Sequence, residues 1–154
     1  MTEFDEAPLD REAPPIEVRG LVSRIGDRTI HDHLDLVVNR GDVVGVVGAS
    51  GTGKSVLLNT IIGLRSADDG SVKIFGQDIR HARRRQWTAI NRRWGVLFQQ
   101  GALWSNLTVK ENVAAPLFEH TDMLKDEIDE LADLKIALAG LPPGAGALKP
   151  SELS

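Results

Sequence analysis

The sequence predicts an α/β fold built around one strand–loop–helix unit, and three neighbouring features carry the prediction. Residues 42–47 form an apolar, β-branched run that is typical of a buried strand. A glycine-rich loop follows over residues 48–55. Residues 55–63 then form an apolar stretch closed by glycine, which is typical of a helix. A buried strand that passes through a tight turn into a helix indicates an α/β domain with a central parallel sheet.

The loop matches the phosphate-binding P-loop pattern G-x-x-x-x-G-K-[ST]. Because glycine has no Cβ, the backbone at positions 48, 51 and 53 can curl and turn its N–H groups towards a phosphate. The helix that begins near Gly53 adds the positive end of its dipole. We expect Lys54 to bind the β- and γ-phosphates and Ser55 to bind Mg²⁺. The predicted nucleotide-binding residues are Gly48, Ala49, Ser50, Gly51, Thr52, Gly53, Lys54, Ser55 and Val56.

The segments before the loop predict an antiparallel pair of strands. Residues 1–15 are acidic and contain proline, which indicates a flexible lead-in. Residues 16–22 alternate apolar and polar side chains, as a strand with one exposed face does. Residues 29–38 alternate in the same way and are the predicted antiparallel partner. A turn over residues 39–42 leads into the buried strand.

The segments after the loop predict further strands and helices. A turn over residues 66–70 precedes a strand over residues 71–75, and residues 76–78 form another turn. The polar, basic stretch 81–93 contains a predicted helix. A short apolar strand over residues 94–98 ends at Gln99.

Two helices are predicted in the last third of the chain. Thr108 and Glu111 have the spacing of a capping box, which marks the start of the first helix. The second helix lies within residues 122–139, and residues 140–150 form a loop rich in glycine and proline. The apolar residues at helical spacing in the second helix are Leu124, Ile128, Leu131, Leu134 and Leu138.

The composition of this 154-residue chain limits the kinds of protein it can be. Its 42% hydrophobic and 26% charged residues are ordinary for a folded domain. The formal net charge of −4 does not suggest a nucleic-acid partner, and we expect none. Cysteine is absent, so disulfides and thiolate metal sites are excluded. No apolar run reaches the roughly 18 residues that indicate a membrane span, and the N-terminus is unlike a secretory signal peptide.

Two groups of charged or titratable residues have plain interpretations. The arginines at positions 83–85 and 92–93 could attract nucleic acid or anionic headgroups, but a solvated helix face is the better interpretation. His31 and His33 are two apart in a predicted strand and would share a face. A third metal ligand is not apparent, so we interpret both as surface histidines.

Five segments together resemble the ATP-binding subunit of an ABC transporter, over the chain from about Ile16 to its end. They are the P-loop at residues 48–55, the strand and turn at 69–79, a Q-loop at 96–99, an LTVxEN segment at 107–113, and the lead-in to an LSGGQ signature at 150–154. The resemblance implies a P-loop NTPase core of the ABC ATPase type, with an N-terminal antiparallel β-subdomain and the start of a helical subdomain. The implied core spans residues 16–99, and the partial helical subdomain spans residues 100–154.

A narrower resemblance, carried by residues 95–109 and 116–121, is to the Mce-associated lipid-transport ATPases. This resemblance implies phospholipid or another lipid as cargo and an integral permease as partner. It also implies attachment to the cytoplasmic face of the bacterial inner membrane. The permease would dock near the segment from Gln100 to Leu107, whose apolar residues alternatively pack under the helical subdomain.

The family resemblance also assigns roles to two residues outside the P-loop. Gln99 would contribute to binding Mg²⁺ and position the attacking water; the alternative is a polar residue that merely ends a strand. The family commonly has an aromatic ring on adenine where this chain has Arg24 or Ile25. We expect Ile25 to cover the base, although the sequence does not predict selectivity for adenine over guanine.

The resemblance further implies a homodimer, because ABC ATPases hydrolyse ATP between two subunits. The rest of the signature, the Walker B aspartate, the catalytic glutamate and the switch histidine would all lie beyond Ser154. We therefore expect the N-terminal portion of a truncated domain, with unpaired strand edges and an exposed apolar face. The alternatives are a nucleotide-binding module without turnover and a small-molecule kinase. The Gln99 region and the ending at residues 150–154 disfavour the kinase.

Overall fold

The computed structural model describes residue 10 and residues 12–98 and 101–153. The chain divides between Val96 and Leu97 into two compact units, which are described separately below. Most of the predicted lead-in, and Gln99 with Gln100, lie outside the described residues. The domain boundary expected at residues 99–100 therefore stays a prediction.

The first unit contains a four-stranded antiparallel sheet. Its strands are β1 (Ile16–Ile25), β2 (Arg28–Val38), β3 (Asp69–Ile74) and β4 (Gln77–Asp78), in the order β2-β1-β3-β4. The predicted antiparallel pairing of the first two strands is confirmed, with Ile16 opposite Val38 and Ile25 opposite Arg28.

Two helices and one core cluster complete the first unit. Helix α1 spans Lys54–Ile61 and begins one residue before the predicted stretch 55–63. Helix α2 spans Arg84–Asn91, inside the predicted stretch 81–93. The core is formed by apolar residues of the sheet and of both helices, namely Val18, Leu21, Leu57, Ile61, Val72, Ile74 and Ile90. Burial of these side chains attaches the helix that follows the P-loop to the sheet.

Two predicted strands are absent from the structure. Residues 42–47 and 94–98 have no regular secondary structure. The side chains of Val43, Val47 and Leu97 are 101%, 92% and 97% exposed. A strand forms only when a neighbour accepts its ladder of hydrogen bonds, and none of the described strands pairs with either segment. The apolar side chains of Val43, Val47 and Leu97 are therefore exposed.

The predicted turn over residues 76–78 lies one residue earlier. Phe75 and Gly76 both have positive φ, 49° and 80°. Two successive positive φ values are typical of a type I′ hairpin turn. Gln77 and Asp78 consequently belong to the short strand β4, opposite Ile74 and Lys73.

The second unit is a pair of helices followed by two short 3₁₀ helices. Helix α3 spans Val109–His120 and helix α4 spans Lys125–Leu138. The 3₁₀ helices span Ala145–Ala147 and Pro150–Glu152. The core between α3 and α4 contains Ala114, Ile128 and Ala132.

The predicted apolar face of α4 is right at Ile128, which is buried, and wrong at three leucines. Leu124, Leu134 and Leu138 are 71%, 54% and 71% exposed. The buried positions of this helix are Ile128, Ala132 and Ile136, spaced by four residues. Since Ala132 faces a core that also contains Ala114, the two small side chains let the helices approach closely.

The predicted capping box at the start of α3 is confirmed. The Glu111 N–H donates to Thr108 Oγ1 at 3.2 Å, and the Thr108 N–H donates to Glu111 Oε2 at 2.7 Å. The hydrogen bond from the Thr108 N–H holds the pKa of the Glu111 carboxyl below its usual value.

Thr108→Ala is expected to destabilise the second unit by about 1 kcal/mol, because a first-turn N–H of α3 loses its acceptor. Faster hydrogen exchange at the first-turn amides of α3 measures this loss. Thr121→Ala, at the other end of the helix, leaves those amides unchanged. Equal acceleration in both variants would contradict the capping role.

Candidate functional site

The P-loop and the first turn of α1 form a compact arrangement around the Lys54 ammonium group. Lys54 Nζ donates to the carbonyl oxygens of Gly48 and Ala49, each at 2.7 Å. Thr52 Oγ1 also donates to the Ala49 carbonyl, at 2.8 Å. An ammonium group has three donors, so these two carbonyls leave the third available to an anion. The lysine therefore lies across the loop at the positive end of α1.

Close packing explains why two positions of the loop are glycine. Gly53 has a φ of 99°, and a Cβ there would lie 2.5 Å from Ile30 Cγ2 and 2.8 Å from His31 Nε2. A Cβ at Gly48 would lie 2.9 Å from Thr52 Oγ1. A side chain at either position would therefore displace part of the cradle.

A cavity of about 310 Å³ opens beside the loop. This volume is at the low end of the range for ligand pockets, about 300–1,000 Å³. Ile25, at the end of β1 and 53% exposed, lies on its wall with the loop. The lining residues are Ile25, Ile30, Ser50, Gly51, Gly53, Lys54, Ser55 and Val56. The structure thus brings the predicted base-contacting residue and the predicted phosphate-binding residues to one cavity.

The local charge of this cavity is positive. The first turn of α1 has no acidic residue, so the helix dipole and Lys54 act together there. Ser55 is exposed in the same turn and presents a hydroxyl, one of the oxygen ligands that Mg²⁺ accepts. Gln99, the second predicted Mg²⁺ ligand, lies outside the described residues.

His31 is a residue of this region that the sequence interpretation placed wrongly. Its side chain is buried, with 7% of the residue exposed, whereas the side chain of His33 is 76% exposed. Burial lowers the pKa of the His31 imidazole, and a hydrogen bond with the Gly53 backbone partly opposes this. The alternation of apolar and polar residues in β2 did not predict the burial of His31, because the pairing of β2 with β1 shifts register on both sides of this residue. The two histidines do not share a face.

Asn112 organises the segment predicted to bind the permease. Its side-chain oxygen accepts from the Trp104 N–H at 2.8 Å. Its side-chain nitrogen donates to the carbonyls of Trp104, Leu107 and Thr108, at 3.1, 3.3 and 2.9 Å. The ordered segment leaves Leu103 and Trp104 48% and 58% exposed. Within the described part of this unit, these two side chains do not pack under the helices.

A metal site, a membrane-spanning helix and a basic surface are three other features that the described residues could contain. Nowhere in residues 10, 12–98 and 101–153 do three or more His, Cys, Asp or Glu side chains come together as a metal site. The helices of the same residues are too short or too polar to cross a membrane. The arginines at positions 83–85 and 92–93 are exposed, as a solvated face requires.

The loop, the helix at its end and the adjacent cavity define the chain as a P-loop domain of the α/β class. The ABC transporter family model matches residues 31–146. The chain belongs to the ABC transporter family.

Curated relatives in this family include proteins named for two different cargoes. The chain is 40% identical over 139 residues to the "Intermembrane phospholipid transport system ATP-binding protein MlaF" of Haemophilus influenzae, covering 90% of this chain and 52% of that protein. It is 40% identical over 126 residues to the "Probable ribonucleotide transport ATP-binding protein mkl" of Mycobacterium tuberculosis, covering 82% of this chain and 35% of that protein. The chain therefore spans about half or less of the length of these relatives.

Solved structures confirm the fold class. The dimeric bacterial ABC transporter cassette MJ0796 matches with a TM-score of 0.79 and 29% identity, covering 90% of this chain and 63% of that chain. The protein cbiO1 of Clostridium perfringens matches with a TM-score of 0.73 over 93% of this chain and 57% of that chain. At 21% identity, this second similarity shows the fold alone. The chain thus has the fold of an ABC ATPase cassette.

Proposed function

We propose that this chain is the nucleotide-binding part of an ABC transporter ATPase that couples ATP binding and hydrolysis to transport, with phospholipid as the cargo. The observation that carries the nucleotide-binding step is the position of Lys54. Its ammonium group lies across the loop, 2.7 Å from the Gly48 and Ala49 carbonyls, at the N-terminus of α1 and on the wall of the cavity. A triphosphate in that cavity meets a charged donor, the loop backbone and the helix dipole together.

The residues present fit both ATP and Mg²⁺. The absence of side chains at Gly48 and Gly53 leaves a cradle that a Cβ would fill, and Ser55 offers a hydroxyl ligand for the metal. Bound Mg²⁺ would neutralise phosphate charge during transfer. Lys54 would hold the β- and γ-phosphates, and Ile25, on the cavity wall, would cover the base. Gln99 would complete the metal site and orient the attacking water.

Lys54→Ala is expected to weaken the binding of a fluorescent ATP analogue at least tenfold in a titration with Mg²⁺ present. The change removes a charge-assisted hydrogen bond to phosphate, which contributes about 1.5–3 kcal/mol. Lys73→Ala, which removes the same charge from strand β3, serves as the matched control and leaves binding unchanged. An unaltered affinity in Lys54→Ala would refute the proposed site.

Hydrolysis requires a longer polypeptide that includes the signature, the Walker B aspartate, the catalytic glutamate and the switch histidine. In that protein, Lys54→Ala abolishes ATP turnover. Turnover that survives the substitution would show that hydrolysis occurs elsewhere. A second candidate for these 154 residues is nucleotide binding without hydrolysis, which ATP binding without turnover by this chain would support.

The proposed partners are a second ATPase subunit and an integral permease at the cytoplasmic face of a bacterial inner membrane. Support for the dimer comes from the dimeric cassette of similar fold. Support for permease docking comes from the exposed Leu103 and Trp104, on a segment that Asn112 holds in place.

Cargo is tested with the complete transporter in lipid vesicles. ATP-dependent transfer of a fluorescent phospholipid to acceptor vesicles supports the proposal. Uptake of a labelled ribonucleotide without lipid transfer would instead favour the cargo named for the mycobacterial relative.

A further inference from the structure

Two buried polar atoms without partners lie at directly opposed positions beneath the P-loop. Ser23 on β1 and His31 on β2 are paired across the antiparallel strands. Ser23 is fully buried and His31 nearly so. Within the described residues, neither Ser23 Oγ nor His31 Nδ1 has a hydrogen-bond partner. Unsatisfied buried polar groups are uncommon and costly, so this pair requires an explanation.

The two atoms are chemically complementary. Side chains at directly opposed positions of an antiparallel pair project to the same face of the sheet. A serine hydroxyl can donate, and a neutral imidazole nitrogen without a proton can accept. Directly or through one bridging water, the Ser23 hydroxyl can therefore satisfy His31 Nδ1. That hydrogen bond places the ring proton on Nε2.

The other ring nitrogen faces the P-loop. A Cβ built on Gly53 would lie only 2.8 Å from His31 Nε2. A hydrogen bond with the Gly53 backbone raises the pKa of the ring, which is the effect of a ring N–H that donates to a carbonyl. Since Nε2 is the ring nitrogen nearest the loop, Nε2–H would be the donor and the Gly53 carbonyl the acceptor. The same carbonyl accepts the first hydrogen bond of α1, from the Leu57 N–H at 2.8 Å.

Charged groups near the ring have other partners. Asp32 and His33, its neighbours on β2, pair with each other at 2.7 Å. Lys54, at the start of α1, donates to two loop carbonyls. On β1 the opposed residue, Ser23, is uncharged. The next charged residue of β1, Arg24, is exposed and lies opposite Thr29. The protonation state of the His31 ring therefore depends on its burial and on its two neighbours, Ser23 and Gly53.

We propose that Ser23, His31 and Gly53 form a hydrogen-bonded chain in which His31 is a positioning residue for the P-loop. The Ser23 hydroxyl fixes the tautomer of His31, and His31 Nε2–H holds the Gly53 carbonyl at the first turn of α1. This inference rests on the proposed nucleotide-binding function. A proton added at Nδ1 would reverse only the first bond, because the Ser23 hydroxyl can also accept, while Nε2–H would still donate to the Gly53 carbonyl. The contact with Gly53 is therefore expected in both protonation states of His31.

The first test examines the ring itself, with no nucleotide present. In the ¹⁵N-histidine-labelled chain, His31 is expected to show the Nε2–H tautomer at pH 7.5 and to titrate below about 6.5. In labelled Ser23→Ala, the share of the Nδ1–H tautomer is expected to grow, because the donor to Nδ1 is lost. An Nδ1–H tautomer in the parent chain, or no change in Ser23→Ala, would overturn the proposal.

The second test measures affinity for a fluorescent ATP analogue with Mg²⁺ between pH 5.5 and 8. His31→Leu fills the space without a donor and is expected to bind about 3- to 10-fold more weakly at pH 7.5, as the loss of one hydrogen bond predicts. His31→Gln keeps an amide donor that can reach Gly53, and its affinity stays within about twofold of the parent chain.

Rescue by the conservative variant separates positioning from mere packing. Because the parent chain keeps the Nε2–H donor in both protonation states, its affinity is expected to follow that of His31→Gln across this pH range. Thermal unfolding of each variant identifies any loss of affinity that reflects instability. Equal losses of affinity in His31→Gln and His31→Leu would overturn the inference while leaving the proposed function intact. If the parent chain binds no nucleotide, the proposed function fails, and the tautomer test still decides the Ser23–His31–Gly53 chain.

Discussion

Gly53→Ala is expected to abolish nucleotide binding and to lower the free energy of unfolding by about 2–5 kcal/mol. An L-residue with a φ of 99° is strained, which costs about 1–2 kcal/mol. The added methyl group would also lie 2.5 Å from Ile30 Cγ2 and 2.8 Å from His31 Nε2, and overpacking of this kind costs about 1–3 kcal/mol more. Denaturant unfolding and titration with a fluorescent ATP analogue measure the two effects.

Gly51→Ala is the matched control for this substitution. Gly51 also has a positive φ, 79°, but a Cβ there would meet nothing within 4 Å. Gly51→Ala is therefore expected to be destabilised only by the backbone strain at this φ, about 1–2 kcal/mol. The difference between the two variants therefore measures the contact of the loop with β2. Equal destabilisation by both variants would show that this contact is unimportant.

Ile128→Ala is expected to destabilise the second unit by about 2–5 kcal/mol, because it removes the largest side chain from a small core. Ile128 is 1% exposed, and the other buried members of its cluster are the alanines Ala114 and Ala132. Val113, Leu117 and Met123 pack against the cluster but are only partly buried, so no buried side chain larger than alanine remains in it after the substitution. Hydrogen exchange at the amides of α3 and α4 measures the loss in this unit by itself.

Leu138→Ala provides the comparison on the same helix. Leu138 is 71% exposed, so its truncation is expected to change the stability by no more than about 0.5 kcal/mol. A larger effect of Leu138→Ala than of Ile128→Ala would mean that the leucines exposed in the structure, and not Ile128, form the core of this unit.

Short-range chemistry explains what could be predicted. The P-loop needs glycine, lysine and serine at fixed spacing, and Lys54, Ser55 and Val56 do lie together at the start of α1 on one cavity. The capping box of Thr108 and Glu111 satisfies its donors within four consecutive residues. The antiparallel pair β1–β2 is joined by a two-residue turn. Each of these features depends on residues that are close in sequence.

Longer-range contacts explain what could not be predicted. The runs at residues 42–47 and 94–98 have the composition of buried strands, but composition does not provide the neighbouring strand that accepts the hydrogen bonds. Leu124, Leu134 and Leu138 have helical spacing, yet the face of α4 that is buried carries Ile128, Ala132 and Ile136.

The sequence by itself determined the P-loop, the cap of α3 and the antiparallel strand pair, because local spacing is sufficient to specify a turn, a cap or a hairpin. Only the tertiary structure decided that Ile25 shares a cavity with the P-loop and that His31 is buried against Gly53. Both contacts join β-strand residues to a loop more than twenty positions away in the chain, and a register shift between β1 and β2 lies beside His31. Strand alternation cannot predict burial at such a shift, because the side chain that faces the core is set there by the pairing of the strands.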